Sequence, residues 1–127
     1  MKRLVLLIAG LLALAGCSSS SAVSTVNAQD FATTIATSGV VILDVRTPGE
    51  FAAGHIAGAI NIDVESGNFE SDIAGLDKNT TYAVYCHSGR RSGIATNTMA
   101  DQGFTHLYNL DGGIGAWTAA GQQLVMG

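Results

Sequence analysis

Proline and cysteine are scarce in this chain of 127 residues, which contains one proline and two cysteines. Hydrophobic residues make up 47% of the chain, and this composition excludes intrinsic disorder, which goes with low hydrophobicity and frequent proline. Two cysteines are too few for the disulfide framework of a small secreted scaffold. Because the length allows one domain rather than two, the sequence predicts a single globular domain.

Basic residues are also few, with 6 Lys and Arg against 10 Asp and Glu, and no basic cluster extends beyond Arg90 and Arg91. This balance argues against nucleic acid binding, which needs a basic surface. No two His or Cys residues have the spacing of metal ligands, and no Cys-x-x-Cys motif of a disulfide oxidoreductase occurs. The sequence therefore predicts no nucleic acid partner, no metal and no cofactor.

The N-terminus has the layout of a bacterial secretory signal peptide, with a basic start in residues 1–3 and an apolar run in residues 4–14. This run is short for a membrane-spanning helix, which needs about 20 residues. Residues 14–17 (Leu-Ala-Gly-Cys) resemble the lipobox of bacterial lipoproteins. The resemblance implies cleavage before Cys17 and attachment of lipid to Cys17. The alternative is a plain signal peptide followed by a chance cysteine.

The predicted organisation is a signal peptide in residues 1–16, the lipidated Cys17 with a serine-rich tether in residues 17–24, and a folded domain in residues 25–127. Without the signal peptide, four basic and ten acidic residues remain, and a net charge of −6 disfavours attachment to anionic lipid. We therefore expect the acyl chains to anchor the protein in the cell envelope. The domain, a monomer, would face the periplasm or the cell exterior.

Short apolar runs alternate with segments of helical pattern in the rest of the chain. Residues 40–45 and 82–85 are the strongest strand candidates, and residues 59–62 and 105–109 are weaker ones. Apolar runs without alternation are typical of strands that are buried on both faces, as in parallel sheets. Strands alternating with helices predict an α/β domain with a mostly parallel sheet.

Several residues mark where the helices begin. Asn27 is a predicted N-cap, residues 47–50 (Thr-Pro-Gly-Glu) have the form of a capping box, and Asp111 is expected to cap the last helix. A further helix is predicted from residue 92 to residue 102. We expect Trp117, on the last helix, to be a core residue.

Cys86 is the residue that carries the chemistry in this interpretation. It ends a predicted buried strand, and His87-Ser88-Gly89-Arg90-Arg91 leads from it into a helix that begins near Ser92. Backbone N–H groups and the positive end of the helix dipole converge there, so the pKa of the thiol should fall below its usual value of about 8.5. This predicts a nucleophilic thiolate that faces an anionic substrate, with Arg90 and Arg91 adding positive charge. The alternative is an inert buried cysteine beside two solvated arginines.

Three blocks of the sequence resemble rhodanese (sulfurtransferase) domains, in the order of that family. They are residues 44–62, which begin Asp-Val-Arg-Thr-Pro, residues 86–92, and residues 110–117, which begin Leu-Asp-Gly-Gly. A single small domain behind a lipoprotein leader resembles the envelope-located single-domain rhodaneses of bacteria. The resemblance implies a rhodanese-like α/β fold, in which a mostly parallel central sheet of about five strands is flanked by helices on both faces.

The resemblance also implies a mechanism. Cys86 would take a sulfane sulfur from thiosulfate or a similar anionic donor, become a persulfide, and pass the sulfur to cyanide or a thiol. Arg91 would bind the donor, with Arg90 a weaker candidate for the same role. The persulfide would be stabilised by a cradle of four backbone amides, those of His87, Ser88, Gly89 and Ser92.

Three other polar residues of the first block are given structural roles. Asp44 and Arg46, at the end of an apolar strand, are expected to orient loops or to pair with a buried neighbour. His55 resembles a family position that organises a turn.

Loop length argues against the phosphatases and arsenate reductases that share this fold. Their loop has its arginine six places after the cysteine, where this chain has Ser92, and the arginine here falls five places after Cys86. Two further alternatives stay open, a persulfide carrier and a non-catalytic module that uses the fold to bind a partner.

Overall fold

The computed structural model describes residues 22–127 of the chain. The predicted signal peptide, Cys17 and all but the last part of the predicted tether lie outside these residues. Within residues 22–127, no helix is both long enough and apolar enough to cross a membrane.

Five parallel strands form one sheet in the order β1-β5-β4-β2-β3. The strands are β1 (Val23–Val26), β2 (Val41–Asp44), β3 (Ile60–Asn61), β4 (Tyr82–Tyr85) and β5 (Leu107–Leu110). The helices are α1 (Ala28–Ile35), α2 (Pro48–Ala53), α3 (Phe69–Ile73), α4 (Arg90–Asp101) and α5 (Gly113–Ala119). The predicted α/β fold with a parallel sheet of about five strands is confirmed.

Two hydrophobic clusters cover the two faces of the sheet. Because successive strand residues point to opposite faces, Leu43 packs in one cluster with side chains of α3 and α4, and Ile42 packs in the other with side chains of α1 and α5. Trp117, predicted to be a core residue, is buried in the second cluster, where its ring meets Phe31 edge-on at 6.1 Å. Helices therefore flank the sheet on both faces, as predicted.

The first strand begins inside the segment that was predicted to be a tether. Residues of β1 pair in parallel with β5, and Val23 and Ser24 belong to both the strand and the predicted tether. The prediction of a tether extending to residue 24 is therefore wrong at its end. The first and last residues of β1 are half-buried and the two between them are exposed. Such an edge strand lacks the continuous apolar run by which a buried strand is identified in a sequence.

The predicted helix starts are confirmed in part. The Asn27 side chain accepts a hydrogen bond from the Asp30 N–H at 2.8 Å, and Thr47 caps α2 by accepting one from the Glu50 N–H at 3.3 Å. The prediction for Asp111 is wrong, because α5 has Gly112 as its N-cap with no side-chain hydrogen bond. The α4 helix begins at residue 90 rather than 92, so both arginines lie in its first turn.

A buried ion pair ties the end of β2 to the segments that follow. The Arg46 guanidinium donates to the Asp44 carboxylate, at 2.7 Å for the shortest bond, and also to the Gly54 carbonyl oxygen at 2.6 Å. The Asn61 side chain donates to the carbonyl oxygens of Asp44 and Arg46. Orienting loops by hydrogen bonds or pairing with a buried neighbour is the role expected of both charged residues, and these contacts include both kinds.

His55 lies where α2 returns towards the sheet. Its Nδ1 is 2.8 Å from the Phe51 carbonyl oxygen, which accepts the hydrogen bond, and its ring stacks on the Phe51 ring with centroids 3.7 Å apart. Its backbone forms an antiparallel bridge with Val125. These contacts are those of a residue that organises a turn.

We predict that Arg46→Met lowers the free energy of unfolding by about 3 kcal/mol, because it leaves the buried Asp44 carboxylate without its cation. Urea denaturation measures this. The control is Arg90→Met, which removes an exposed cation that makes no ion pair within residues 22–127 and should change the stability by about 0.5 kcal/mol or less. Equal stability of the two variants would contradict the prediction.

Candidate active site

Cys86 is fully buried and directly follows β4, the middle strand of the sheet. The carboxyl end of a parallel sheet is where ligands bind in open α/β folds. The thiol therefore lies at the end of a strand that is buried along its whole length, as predicted.

Donor groups from the following loop point at the sulfur. The Gly89 N–H donates to Cys86 Sγ at 2.9 Å, and the Ser92 hydroxyl donates to it at 3.3 Å. Gly89 has a φ of +100°, a left-handed conformation that favours glycine, and this turn brings its N–H back towards the sulfur. The loop and the first turn of α4 thus surround one atom with hydrogen-bond donors.

The hydrogen bonds outweigh the effect of burial on the thiol. Burial raises the pKa of Cys86, whereas the Ser92 hydroxyl and the N–H groups of Ser92, Gly89 and Ser88 lower it, and the net result is a pKa below its ordinary value. A larger fraction of Cys86 is therefore a thiolate, the nucleophilic form, at a given pH. Three of the four predicted amides act on the sulfur, and the contribution of the His87 amide stays a prediction.

The loop carbonyls point the other way, towards α5. The Ile114 N–H donates to the Cys86 carbonyl oxygen at 3.0 Å, and the Gly115 N–H donates to that of His87 at 3.4 Å. A Cβ atom at Gly113 would lie 2.6 Å from both of these carbonyl oxygens. Residue 113 also has a φ of +57°, which favours glycine. The chain can approach the loop this closely only because residue 113 has no side chain.

The Arg91 guanidinium forms an ion pair with a carboxylate, and so it is not left unpaired for a sulfur donor. Its guanidinium makes two parallel hydrogen bonds of 2.8 Å to the two carboxylate oxygens of Glu50, and its Nε lies 3.7 Å from a carboxylate oxygen of Glu65. The hydrogen bonds from Arg91 lower the pKa of Glu50 to about 2, so this pair is ionised at any physiological pH. Binding of a donor by Arg91 stays a prediction.

Arg90, the weaker candidate, has the opposite environment. It is exposed at the first position of α4, and none of the ion pairs within residues 22–127 includes it. The two adjacent arginines therefore differ in how much of their charge is available.

The sequence did not identify Glu50 as part of the site. It was assigned to a capping box, but its carboxylate receives hydrogen bonds from the Thr47 hydroxyl and from Arg91. Arg91 lies 41 residues further along the chain, and no local pattern indicates such a contact. No group of three or more His, Cys, Asp and Glu side chains in the described part of the chain could hold a metal ion.

We predict that Ser92→Ala raises the pKa of Cys86, because it removes the hydroxyl that stabilises the thiolate. In a Cys17→Ala background, where Cys86 is the single cysteine, the rate of alkylation by iodoacetamide as a function of pH reports this pKa, and its midpoint should move to higher pH. Ser71→Ala, an exposed serine on α3, is the matched control and should leave the midpoint unchanged. A midpoint for Ser92→Ala that stays in place or moves down would refute this role of the hydroxyl.

We predict that Gly113→Ala destabilises the protein by about 2 kcal/mol or more, because the new methyl group meets the loop carbonyls. It should also slow alkylation of Cys86, since the loop must move. Gly115→Ala, on the same helix with no atom near its added methyl group, should be neutral or slightly stabilising. Urea denaturation and alkylation rates measure both variants, and similar behaviour of the two would be evidence against a close-packing requirement.

Comparisons with known proteins agree on one family. The model of the rhodanese-like domain matches residues 27–120. The chain is 40% identical over 70 residues to thiosulfate sulfurtransferase PspE of Escherichia coli (strain K12), covering 55% of this chain and 67% of that protein. It is 38% identical over 81 residues to thiosulfate sulfurtransferase GlpE of Ectopseudomonas mendocina (strain ymp), covering 64% of this chain and 72% of that protein.

Solved structures show the same fold. The rhodanese-related protein of Thermoplasma volcanium superposes with a TM-score of 0.71 at 31% identity, over 81% of this chain and 98% of that one. A protein of unknown function from Rhodopseudomonas palustris, described as a possible tyrosine phosphatase, has a TM-score of 0.71 at 29% identity, over 83% and 86% of the two chains. With a family model that matches most of its length and relatives named as sulfurtransferases, the chain belongs to the rhodanese family.

Proposed function

We propose that the protein is a sulfurtransferase that carries sulfur on Cys86, from thiosulfate or a similar anionic donor to a thiophilic acceptor such as cyanide or a thiol. The observation that carries the proposal is the set of hydrogen-bond donors around Cys86 Sγ, led by the Gly89 N–H and the Ser92 hydroxyl. A sulfur atom held in this way is suited to exist as an anion, which both steps of sulfur transfer require.

In the first step the Cys86 thiolate attacks the outer, sulfane sulfur of thiosulfate. A new S–S bond forms, the S–S bond of the donor breaks, and sulfite leaves with the electron pair. One thiolate and one thiosulfate dianion become one persulfide anion and one sulfite dianion, so charge is conserved and no proton is needed. Covalent catalysis of this kind divides one difficult transfer into two easier steps.

In the second step the acceptor attacks the outer sulfur of the persulfide. With cyanide, a C–S bond forms to give thiocyanate and the S–S bond of the persulfide breaks. The Cys86 thiolate is the leaving group and takes the electron pair of that bond. The hydrogen bonds from Gly89 and Ser92 stabilise this leaving group just as they stabilise the attacking thiolate. A persulfide carrier would share the first step and differ only in the acceptor, and a non-catalytic module would not need a thiol of lowered pKa.

The loop supports sulfur transfer over phosphate transfer. Arg91, the arginine five places after Cys86, already donates a hydrogen bond of 2.8 Å to each carboxylate oxygen of Glu50. Phosphoryl transfer relies on cations that neutralise the charge of the transferred group, and a guanidinium paired in this way is poorly suited to that task.

We also propose that the protein is a lipid-anchored monomer of the cell envelope. The support is the sequence alone, with its basic start, its apolar run and the Leu-Ala-Gly-Cys tetrapeptide that ends at Cys17. The first strand of the folded domain, β1, begins at Val23, so few residues separate the proposed lipid on Cys17 from the sheet.

We predict that the protein gains one sulfur atom on incubation with thiosulfate, and that cyanide removes it. Intact mass measured on the Cys17→Ala variant, in which Cys86 is the single cysteine, detects the gain. The double variant that also carries Cys86→Ala should show no gain.

Two results would contradict the proposal. One is a gain of sulfur that persists without Cys86, and the other is no gain in a folded protein whose thiol is free. Turnover of an aryl phosphate by the same protein would favour the phosphatase alternative instead.

A further inference from the structure

Arg91 lies between two carboxylates at the edge of the active-site loop. Glu50, on α2, binds the guanidinium through two hydrogen bonds of 2.8 Å, and Glu65, in the loop after β3, lies 3.7 Å from Arg91 Nε. The three side chains come from three separate segments, and Glu50 and Arg91 are both partly shielded from solvent. One cation therefore faces two anions beside the thiol.

The formal charge of these three side chains together is −1 rather than +1. Arg91 and Cys86 interact electrostatically, and the two carboxylates beside Arg91 offset the attraction of its charge for an anion at the thiol. The electrostatic energy of an ion is proportional to the magnitude of its charge. When Arg91 is neutralised, a donor with two negative charges therefore loses more attraction than a donor with one. Arg90 is exposed at the start of α4, where its field is weakened by water and salt.

We propose that Glu50 is a specificity-determining residue, which by neutralising Arg91 favours sulfur donors with a single negative charge, such as organic thiosulfonates, over dianionic thiosulfate. This inference rests on the proposed sulfurtransferase activity and names the donor class that the site prefers. The chemistry is the same for both donors. With a thiosulfonate, the Cys86 thiolate takes the outer sulfur and a sulfinate anion leaves with the electron pair.

The test compares two donors that differ in charge, thiosulfate and methanethiosulfonate, with cyanide as the common acceptor. Glu50→Gln keeps the size and one hydrogen-bond acceptor of the side chain but removes its charge. It should raise kcat/KM for thiosulfate by about three- to fivefold relative to methanethiosulfonate, in the range expected of one partly exposed ion pair. This relative gain should shrink as salt is added.

Three variants make the result specific. Glu65→Gln, a more exposed and more distant carboxylate, should act in the same direction by a smaller factor. Glu70→Gln, an exposed carboxylate on α3, changes the net charge equally and should leave the ratio of the two donors unchanged. In a background of Arg91→Gln, the effect of Glu50→Gln on that ratio should shrink but keep its direction, because only the direct repulsion between the carboxylate and the donor is then removed.

Equal changes for both donors in Glu50→Gln would overturn the inference and would mean that Glu50 only holds Arg91 in place. If Glu50→Gln does not fold, as judged by circular dichroism, the ratio measured for Glu65→Gln decides. Failure of the natural protein to take sulfur from either donor would refute the proposed function itself, whereas normal sulfur uptake with no effect of Glu50→Gln would refute only the charge preference.

Discussion

The hydrogen bonds from the start of α5 to the carbonyl oxygens of Cys86 and His87 are the constraint on which the rest of the site depends. A trans peptide group has its C=O and N–H on opposite sides, so the two carbonyls that point to α5 turn the N–H groups of His87 and Ser88 away from it, and the Ser88 N–H acts on the sulfur. This requires a close approach of two backbones, and Gly113 provides it. The last block of the sequence thus shapes the site without contacting the thiol.

The two electrostatic components of the site act in different ways. The thiolate of Cys86 is stabilised by a partly buried donor at 2.9 Å and a buried donor at 3.3 Å, and salt screens such short, shielded contacts weakly. The positive charge of Arg91, near the thiolate, is largely compensated by the Glu50 carboxylate. The pKa of the thiol therefore depends on fixed dipoles, whereas the net charge around Arg91 depends on a partly exposed ion pair that solvent and salt can modify.

The sequence predicted what depends on local patterns. The strand Tyr82–Tyr85, the cap at Asn27 and the position of Cys86 at a strand end follow from neighbouring residues, and each is confirmed. The strand Val23–Val26 has no strong local pattern, because it is stabilised by pairing with β5 at the far end of the chain. The pair of Glu50 with Arg91 could not be predicted for the same reason, since the contact exists only once the fold has brought α2 and α4 together.

The buried pair of Asp44 and Arg46 is connected to the edge of the site through α2. Thr47 caps the first turn of this helix, and the guanidinium of Arg46 binds the Gly54 carbonyl oxygen at its other end. A helix of six residues held at both ends has little freedom, so Glu50 is presented to Arg91 in one position. Because Thr47 takes over the capping, the Glu50 carboxylate is available for the arginine. A structural ion pair in the interior therefore helps to hold the carboxylate that compensates the charge of Arg91.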